Sequence, residues 1–320
     1  MLEIDIVKNK IWKSGSSKEG SRMASKEEVV EASRSFTWKD FVYITKPGIL
    51  FSNLITVFGG FWLASHWDPE WLLLLWTLLG TTLVMASGCV LNNYLDRELD
   101  VKMARTRKRA LPSGRLQARI VLLYGIVLGV SGTVILYVLV NPLTALLGLI
   151  GVVVYVVIYT AWLKRTSVWC TTVGAIAGAM PPVMGYAAVY NRIDEIAIIL
   201  FAILFLWQPP HFWALGIRRM EEYRAAGFHM LPVIKGVRAT KISMLRYVIP
   251  LIPVSLLLYL YDAVGLIYLV GSTLLGFGWL YIVAHGFKET DNDRWAKKVF
   301  IYSINYLMLL FLLMILNTSF

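Results

Sequence analysis

Charged residues are scarce in this 320-residue sequence, at 16% of the chain, whereas hydrophobic residues make up 58%. Soluble globular proteins carry about 25% charged residues, so this composition excludes an ordinary soluble enzyme. The charges are also confined to short stretches between long apolar runs that lack Asp, Glu, Lys and Arg. This alternation is typical of an all-α protein whose helices cross a membrane several times.

Cysteine is rare as well, because the chain contains only Cys89 and Cys170, and both lie in apolar runs. Neither has a Cys or His neighbour at metal-ligand spacing, so the sequence indicates neither a disulfide framework nor a zinc site. The net charge of +11 could suit a nucleic acid, but the cations are restricted to the stretches between apolar runs. We therefore expect no nucleic-acid partner.

Uncharged runs of bilayer length predict nine transmembrane helices. The predicted spans cover residues 47–65, 71–93, 120–140, 143–163, 168–190, 196–217, 247–261, 264–286 and 299–317. The seventh is short and contains Pro250 and Pro253, so we expect it to tilt, to kink or to fail to cross alone. No Asp, Glu, Lys or Arg lies inside a predicted span, which argues against the buried proton relay of a pump.

The positive-inside rule orients these spans. With the amino terminus in the cytoplasm, only Arg192 of the 31 Lys and Arg residues falls on the outer side, where it is accompanied by acids such as Asp194 and Glu195. The sequence therefore predicts a multi-pass bundle with its amino terminus inside and its carboxyl terminus outside. Its polar chemistry is concentrated at the cytoplasmic ends of the helices.

The chain divides at residue 45 into a tail and a membrane domain. Residues 1–44 have no apolar signal core and carry several acids, unlike an organelle transit peptide. We interpret them as a mobile cytoplasmic tail, with Met23 as a candidate second start, and residues 45–320 as the transmembrane domain. The acids of the tail favour the plasma membrane of a prokaryote over a mitochondrial membrane.

The end of the second predicted span carries the most informative motif, Asn92-x-x-x-Asp96-x-x-x-Asp100. Residues four apart on a helix differ by only about 40° around its axis and roughly 6 Å along it, so the three side chains share one face. Their oxygens suit Mg²⁺ that takes its other ligands from water and a substrate diphosphate. Solvated acids at an ordinary helix end would show the same spacing.

Cations follow these acids at once, at Arg105, Arg107, Lys108, Arg109 and Arg115. A diphosphate would satisfy both groups, because the metal links it to carboxylates and arginine grips phosphate oxygens with paired hydrogen bonds. The alternative is that the cations only obey the positive-inside rule and contact lipid headgroups.

The aspartate motif resembles the first signature of the UbiA superfamily of intramembrane prenyltransferases. The segment NNYLDRELDVKMARTRKRALPSGR, which starts at Asn92, more closely resembles the protohaem IX farnesyltransferases, or haem O synthases. Similar segments are TKPGI at 45–49, NLIT at 53–56, YTAWLKRTS at 159–167, GAMPPVMGYAAV at 178–189, WQPPHFWALGI at 207–217 and EEYRAAGFHMLPV at 221–233. The resemblance covers residues 45–320 and implies a UbiA-type fold.

The sequence departs from this family pattern at several positions. Asn93 stands where many members have Asp. Glu222 replaces the Asp of a second acidic motif, which keeps the charge but puts direct metal ligation there in doubt. Phe228 and His229 replace the usual Ile-Pro.

The resemblance implies transfer of a farnesyl group from farnesyl diphosphate to a vinyl group of haem B, with addition of water to give haem O for haem-copper oxidases. Haem B is then a substrate, Mg²⁺ the cofactor, and the lipid bilayer and a haem A synthase candidate partners. The implied metal ligands are Asn92, Asp96, Asp100 and Glu222. The implied diphosphate ligands are Arg105, Arg109, Lys164 and Arg165. The candidate catalytic residues are Asn92, Asp96, Asp100, Lys164, Arg165 and Glu222.

Several aromatic residues and one histidine are candidates for binding the prenyl chain or the acceptor, namely Tyr159, Trp207, His211, Phe212 and Trp213. Pro181-Pro182 and Pro209-Pro210 would kink their helices and open a chamber between them. The alternatives are that the kinks improve packing, that the histidine is only hydrogen-bonded, and that the aromatic residues face lipid or pack.

Two other functions account for parts of the sequence. A UbiA-type prenyltransferase acting on an aromatic quinone or chlorophyll precursor would share Asp96 and Asp100 but does not explain WQPPHFWALGI or MLPV. A haem or lipid transporter without chemistry would place polar groups near the membrane midplane, where this sequence has few.

Overall fold

The computed structural model describes residues 37–319, which form a bundle of helices. The helices of this range are α1 (Trp38–Ile44), α2 (Pro47–Ser65), α3 (Trp71–Asp100), α4 (Ala118–Leu139), α5 (Pro142–Thr166), α6 (Cys170–Tyr190), α7 (Glu195–Arg218), α8 (Met220–Ala225), α9 (Leu231–Leu260), α10 (Leu266–His285) and α11 (Asn292–Leu316). Among these described residues, the nine helices other than α1 and α8 are long and apolar enough to cross a membrane, so the predicted number of spans is confirmed. Most of the predicted tail, including Met23, lies outside the described residues.

Three helices are clearly longer than the uncharged runs predict. The second predicted span ends at residue 93, whereas α3 continues to Asp100, and the ninth begins at residue 299, whereas α11 begins at Asn292. The seventh covers 247–261, whereas α9 begins at Leu231 and consists of two helical parts that meet in a kink at Gly236, with φ 77°. A lack of charge therefore marks the part of a helix that fits the bilayer core but not the polar turns beyond it.

α2 and α6 cross in close contact. A Cβ added to Gly60 would overlap the carbonyl oxygen of Pro182, and one added to Gly185 would overlap the carbonyl oxygen of Val57. Small residues at such positions let two backbones approach, which is how helices gain contact area inside a membrane. At Pro182 the proline-containing part of α6 therefore packs against a neighbouring helix.

The carboxyl-terminal residues lie at the end of the bundle where α2 ends, called the far end. His66 Nδ1 lies 3.0 Å from the carbonyl oxygen of Ser319. Trp67 donates from Nε1 to the carbonyl oxygen of Thr318 at 2.9 Å. The His66 ring also lies 3.0 Å from the hydroxyl of Tyr190, the last residue of α6.

The opposite end, where α3 ends at Asp100, is called the near end and holds α1. Arg115 donates to Asp40 at 3.0 Å, and Asn93 donates to the carbonyl oxygen of Ile44 at 3.0 Å. α1 therefore packs onto the near end of the bundle, although it falls within the segment 1–44 that the sequence assigns to the tail. The described chain thus begins and ends at opposite ends, as an odd number of spans requires.

Two connections fold over the near end and pack against each other. Residues 101–117 join α3 to α4, and residues 226–230 join α8 to α9. Met103 from the first connection and Phe228 from the second share a buried apolar cluster with Cys170. These segments cover the polar end of the bundle instead of extending into water.

Replacing Gly60 by alanine should destabilise the protein. The added methyl group meets the backbone of α6 at Pro182, which cannot move aside without separating the two helices. Overpacking typically costs about 1–3 kcal/mol, so we expect a lower midpoint of thermal unfolding in detergent.

The matched control is Gly48→Ala, because nothing lies within 4 Å of a Cβ at that position. Its unfolding midpoint should match that of the parent protein. Equal midpoints for all three proteins would contradict the close crossing of α2 and α6.

Candidate active site

Four polar side chains at the end of α3 are buried, although each lies near the end of its helix. Asn92, Asn93, Asp96 and Asp100 are each no more than 4% exposed. Burial of a carboxylate is costly unless charge or hydrogen bonds compensate it. The alternative of solvated acids at an ordinary helix end is therefore wrong for Asp96 and Asp100.

Basic side chains of α5 compensate the negative charge of Asp96. Lys164 donates from Nζ to Asp96 Oδ2 at 2.6 Å, and Asn92 donates to the same oxygen at 2.9 Å. Arg165 lies 3.8 Å from the other oxygen, Oδ1, which accepts no hydrogen bond from any of the residues 37–319. Arg165 also donates to the carbonyl oxygen of Leu95 at 2.8 Å. One carboxylate oxygen is thus fully engaged, and the second is buried without a hydrogen-bond partner.

An arginine in the connection that follows α3 compensates the negative charge of Asp100. Arg109 donates from Nη1 to Asp100 Oδ2 at 2.7 Å. Thr106 donates its hydroxyl proton to the carbonyl oxygen of Asp100 at 2.8 Å, which fixes the connection against the helix end. Both predicted metal-binding aspartates are therefore paired with predicted diphosphate-binding cations.

Lys46, at the start of α2, joins the site from a third helix. Its Nζ donates to Asn92 Oδ1 at 2.7 Å. Burial lowers the pKa of Lys46, and the nearby positive charges of Arg109 and Lys164 act in the same direction. Lys46 also has a left-handed backbone with φ 58°, a costly conformation for a side chain of this size that is often found at functional sites.

A π-helical segment of α5, Val154–Leu163, presents several side chains to the aspartates. Thr160 accepts a hydrogen bond from Asn92 at 3.1 Å and donates to the carbonyl oxygen of Tyr155, five residues earlier, at 2.7 Å. Tyr155 and Tyr159 stack with their ring centroids 5.7 Å apart. Short π-helical segments often occur at functional sites because the wider turn redirects side chains.

A cavity of about 270 Å³ lies between α1 and the connection at 101–117, next to Asn93. Neither Asp96 nor Asp100 is among the ten described residues that line it, but five of the ten are cations, namely Lys46, Arg105, Lys108, Arg109 and Arg115. Such a concentration of positive charge suits a phosphate-bearing ligand.

Asp40 is the acid in this lining. Burial alone would raise the pKa of Asp40, but hydrogen bonds from Thr37 and Arg115 and the charge of Arg115 outweigh it, so the pKa is lowered. The ionised Asp40 therefore neutralises Arg115 and leaves the other cations of the lining available to a ligand.

Glu222, on α8, does not lie in one cluster with the aspartates. Its Oε1 accepts a hydrogen bond from Arg219 at 2.9 Å, and its Oε2 is buried without a partner. Burial raises the pKa of the adjacent Tyr223, while the charge of Arg105 opposes that shift. The α8 segment therefore faces the cations that follow α3.

The predicted acceptor-binding residues of α7 form a separate group. His211 is stacked between Trp207 and Phe300, with centroid separations of 4.7 and 4.6 Å. Trp213 is buried and contacts Tyr247 edge-on. Phe212 is 44% exposed. Within residues 37–319, no hydrogen bond, ion pair or ring contact links this group to the aspartates.

Several residues of the site were not among the sequence candidates. Lys46, Thr160 and Phe228 all contact the candidate residues and all lie in the segments TKPGI, YTAWLKRTS and EEYRAAGFHMLPV. Asn93 donates a hydrogen bond to the carbonyl oxygen of Ile44, so its side chain positions α1 and is not directed at a ligand. The segments contain these residues, but which residues of them meet depends on how the helix ends converge.

The donor set fits a hard divalent cation such as Mg²⁺. Asp96 Oδ1 and, apart from it on α8, Glu222 Oε2 are buried oxygens that accept no hydrogen bond from the described residues, and Mg²⁺ prefers oxygen ligands and retains several waters. In the described part of the chain, no three His, Cys, Asp or Glu side chains form a metal cluster by themselves. A diphosphate and water would therefore supply the remaining ligands.

The model of the UbiA prenyltransferase family matches residues 53–304. The protoheme IX farnesyltransferase 1 of Bacillus subtilis (strain 168) is 47% identical to this chain over 308 residues, which cover 93% of this chain and 96% of the relative. The resemblance of the motifs is therefore confirmed over nearly the whole length of both proteins.

Solved structures share the fold. A digeranylgeranylglyceryl phosphate synthase superposes with a TM-score of 0.74 at 20% identity, covering 87% of this chain and 97% of that one. A UbiA homologue from Archaeoglobus fulgidus bound to DMAPP and Mg²⁺ superposes with a TM-score of 0.64 at 15% identity, covering 84% and 99%. At these low identities, the solved structures show only that the chain shares their fold.

The family match and the relative of nearly equal length show that the chain belongs to the UbiA prenyltransferase family.

Proposed function

We propose that this protein transfers a farnesyl group from farnesyl diphosphate to a vinyl group of haem B, with addition of water, to give haem O and diphosphate. The observation that carries the proposal is the pair of buried aspartates, Asp96 and Asp100, each bound to a cation. The Bacillus subtilis relative, of which the match covers 96%, is a protoheme IX farnesyltransferase. A haem A synthase or an oxidase would consume the product.

Each ion pair joins a group suited to a metal with a group suited to a phosphate. Lys164 neutralises Asp96, and Arg109 neutralises Asp100. Such buried pairs rarely add stability over apolar packing, which favours a functional reason for their presence. We propose that both cations turn to the diphosphate when substrate binds, which leaves both carboxylates to the divalent ion.

The cations would hold the diphosphate as it leaves. Arg105 and Arg109 line the cationic cavity on one side of the aspartates, and Lys164 and Arg165 approach from α5 on the other. Cations on both sides of the departing group stabilise the charge that grows on it. Mg²⁺ held by Asp96 and Asp100, with Asn92 and Glu222 as further candidate ligands, would act as a Lewis acid on the same oxygens.

The allylic cation formed on the other side of the breaking bond needs an apolar, electron-rich surface. Tyr155 and Tyr159 supply stacked rings next to Thr160 and the aspartates. Aromatic faces attract cations, and the covering segments at 101–117 and 226–230 keep water away until the vinyl group has reacted. Water then adds to the resulting cation and loses a proton.

His211 is arranged to accept a proton or to contact the acceptor through one nitrogen. Ser303 donates its single hydroxyl proton to the carbonyl oxygen of Phe300 at 2.7 Å, so its oxygen must accept from His211 Nδ1, 2.7 Å away. His211 Nε2 then carries a lone pair. With Trp207, Phe212 and Trp213 nearby, this part of α7 is the candidate surface for the porphyrin.

The near end of the bundle, with the aspartates, would face the cytoplasm of a prokaryotic plasma membrane. The excess of Lys and Arg lies at this end, as the positive-inside rule requires of a cytoplasmic face. The far end instead holds the acids Asp68, Asp194 and Asp262.

Expression of the parent protein in cells without their own haem O synthesis should yield haem O, resolved from haem B by chromatography. Asp96→Asn should reduce haem O by about 100-fold or more, because a transition-state charge contact of this kind is worth about that factor. Asp293→Asn is the matched control, since Asp293 is 66% exposed and pairs only with Arg218.

A second variant separates chemistry from folding. Asp96→Asn leaves the largely buried Lys164 without its counterion, which should lower the unfolding midpoint, whereas Asp96→Asn with Lys164→Gln restores a neutral pair and should recover it. Neither variant should recover haem O production. Full haem O production by Asp96→Asn would refute the metal role, and a stable, inserted parent protein that makes none would leave an aromatic acceptor as the better proposal.

A reporter fused after the last residue tests the orientation. Because Thr318 and Ser319 lie at the far end, opposite the aspartates, an alkaline phosphatase fusion should be active and a green fluorescent protein fusion dark. The reverse pattern would place the aspartates on the outer face.

A further inference from the structure

Lys164 is held by the segment at residues 228 and 229 as well as by Asp96. Its Nζ lies 4.2 Å from the centroid of the Phe228 ring. The N–H of His229 donates to the carbonyl oxygen of Lys164 at 3.1 Å. Tyr159 is the next aromatic ring, 5.9 Å from the same ammonium group. The side chain and the backbone of Lys164 are therefore both fixed by the connection between α8 and α9.

We propose that Phe228 is a positioning residue that keeps the Lys164 ammonium at the diphosphate site when it exchanges Asp96 for a phosphate oxygen. The inference rests on the proposed function, because it assigns that exchange to Lys164. Phe228, whose side chain has no polar atom, would then contribute to diphosphate binding through Lys164.

The chemistry of an aromatic ring suits this task. The ring face attracts a cation electrostatically without accepting its protons in strong hydrogen bonds, so all three N–H groups of Lys164 stay available for Asp96 or for phosphate oxygens. A carboxylate in place of Phe228 would compete with the diphosphate for the ammonium group. An aliphatic side chain at position 228 would offer the ammonium group no electrostatic attraction while that group moves away from Asp96.

The surroundings of Phe228 hold the ring in place. The residue is 1% exposed and packs with Met103, Cys170 and Met230 in one buried cluster. Tyr223 contacts it edge-on, with the ring centroids 6.0 Å apart. A ring enclosed in this way cannot follow a moving ammonium group, so it limits how far Lys164 can travel.

Both contacts depend on the residue type at these two positions. An isoleucine at position 228 would have no ring to offer Lys164, and a proline at position 229 would have no N–H to donate to its carbonyl oxygen. Phe228 and His229 therefore supply two interactions with one lysine, which mere filling of space would not require.

The test is to replace Phe228 by mono-, di- and trifluorophenylalanine. Fluorine withdraws charge from the ring face in steps while the shape of the side chain is almost kept. Binding of farnesyl thiodiphosphate, a non-ionising analogue, is measured by calorimetry with Mg²⁺ present. We expect its Kd to rise with each fluorine, by about tenfold for the trifluoro ring, a factor that corresponds to about 1.4 kcal/mol.

Steady-state kinetics supply a second readout. The KM for farnesyl diphosphate should rise along the same series, whereas the KM for haem B should stay constant. Phe228→Ile should resemble the trifluoro variant. Trifluorophenylalanine at Phe311, an equally buried ring that packs against Gly59 at the opposite part of the bundle, should change neither constant.

A double-mutant cycle identifies the partner of the ring. In a Lys164→Met background, fluorination of Phe228 should have no further effect on Kd. A flat series in the parent background, or an equal rise in the Lys164→Met background, would overturn the positioning role while leaving the proposed function intact. Failure of the parent protein itself to bind the analogue would overturn both.

Discussion

The structure depends on the burial of two negative charges at one end of a membrane helix. Asp96 and Asp100 lie almost entirely out of water, where an unpaired carboxylate would be too costly to keep ionised. Cations from α5 and from the connection after α3 compensate them. Two other parts of the chain must therefore converge on the end of α3, and this requirement fixes the arrangement of the near end.

The remainder of the fold maintains that convergence. The close crossing of α2 and α6 brings the start of α2, with Lys46, over Asn92. The π-helical segment of α5 directs Thr160 and Lys164 to the same face. Met103 and Phe228 pack over the near end of the bundle. The result is a polar site covered by apolar side chains.

The sequence predicts the nine spans because a bilayer core excludes charge and so leaves uncharged runs of a readable length. It also predicts the aspartate face, since helical spacing alone aligns Asp96 with Asp100. It could not show that Lys164 pairs with Asp96, 68 residues away, because such contacts depend on how helix ends meet. The length of α9 was missed for a different reason: Lys241 and Arg246 end the uncharged run, whereas the helix continues past them to the kink at Gly236.

We propose that the paired carboxylates bind a divalent ion together with the substrate diphosphate. Calorimetric titration of farnesyl thiodiphosphate into the purified protein, with Mg²⁺ and after complete chelation, tests this joint binding. We expect measurable binding with Mg²⁺ and a loss of about 100-fold or more without it, because the two carboxylates would then repel the ligand. Equal affinity under both conditions would mean that the carboxylates do not bind the diphosphate through a metal.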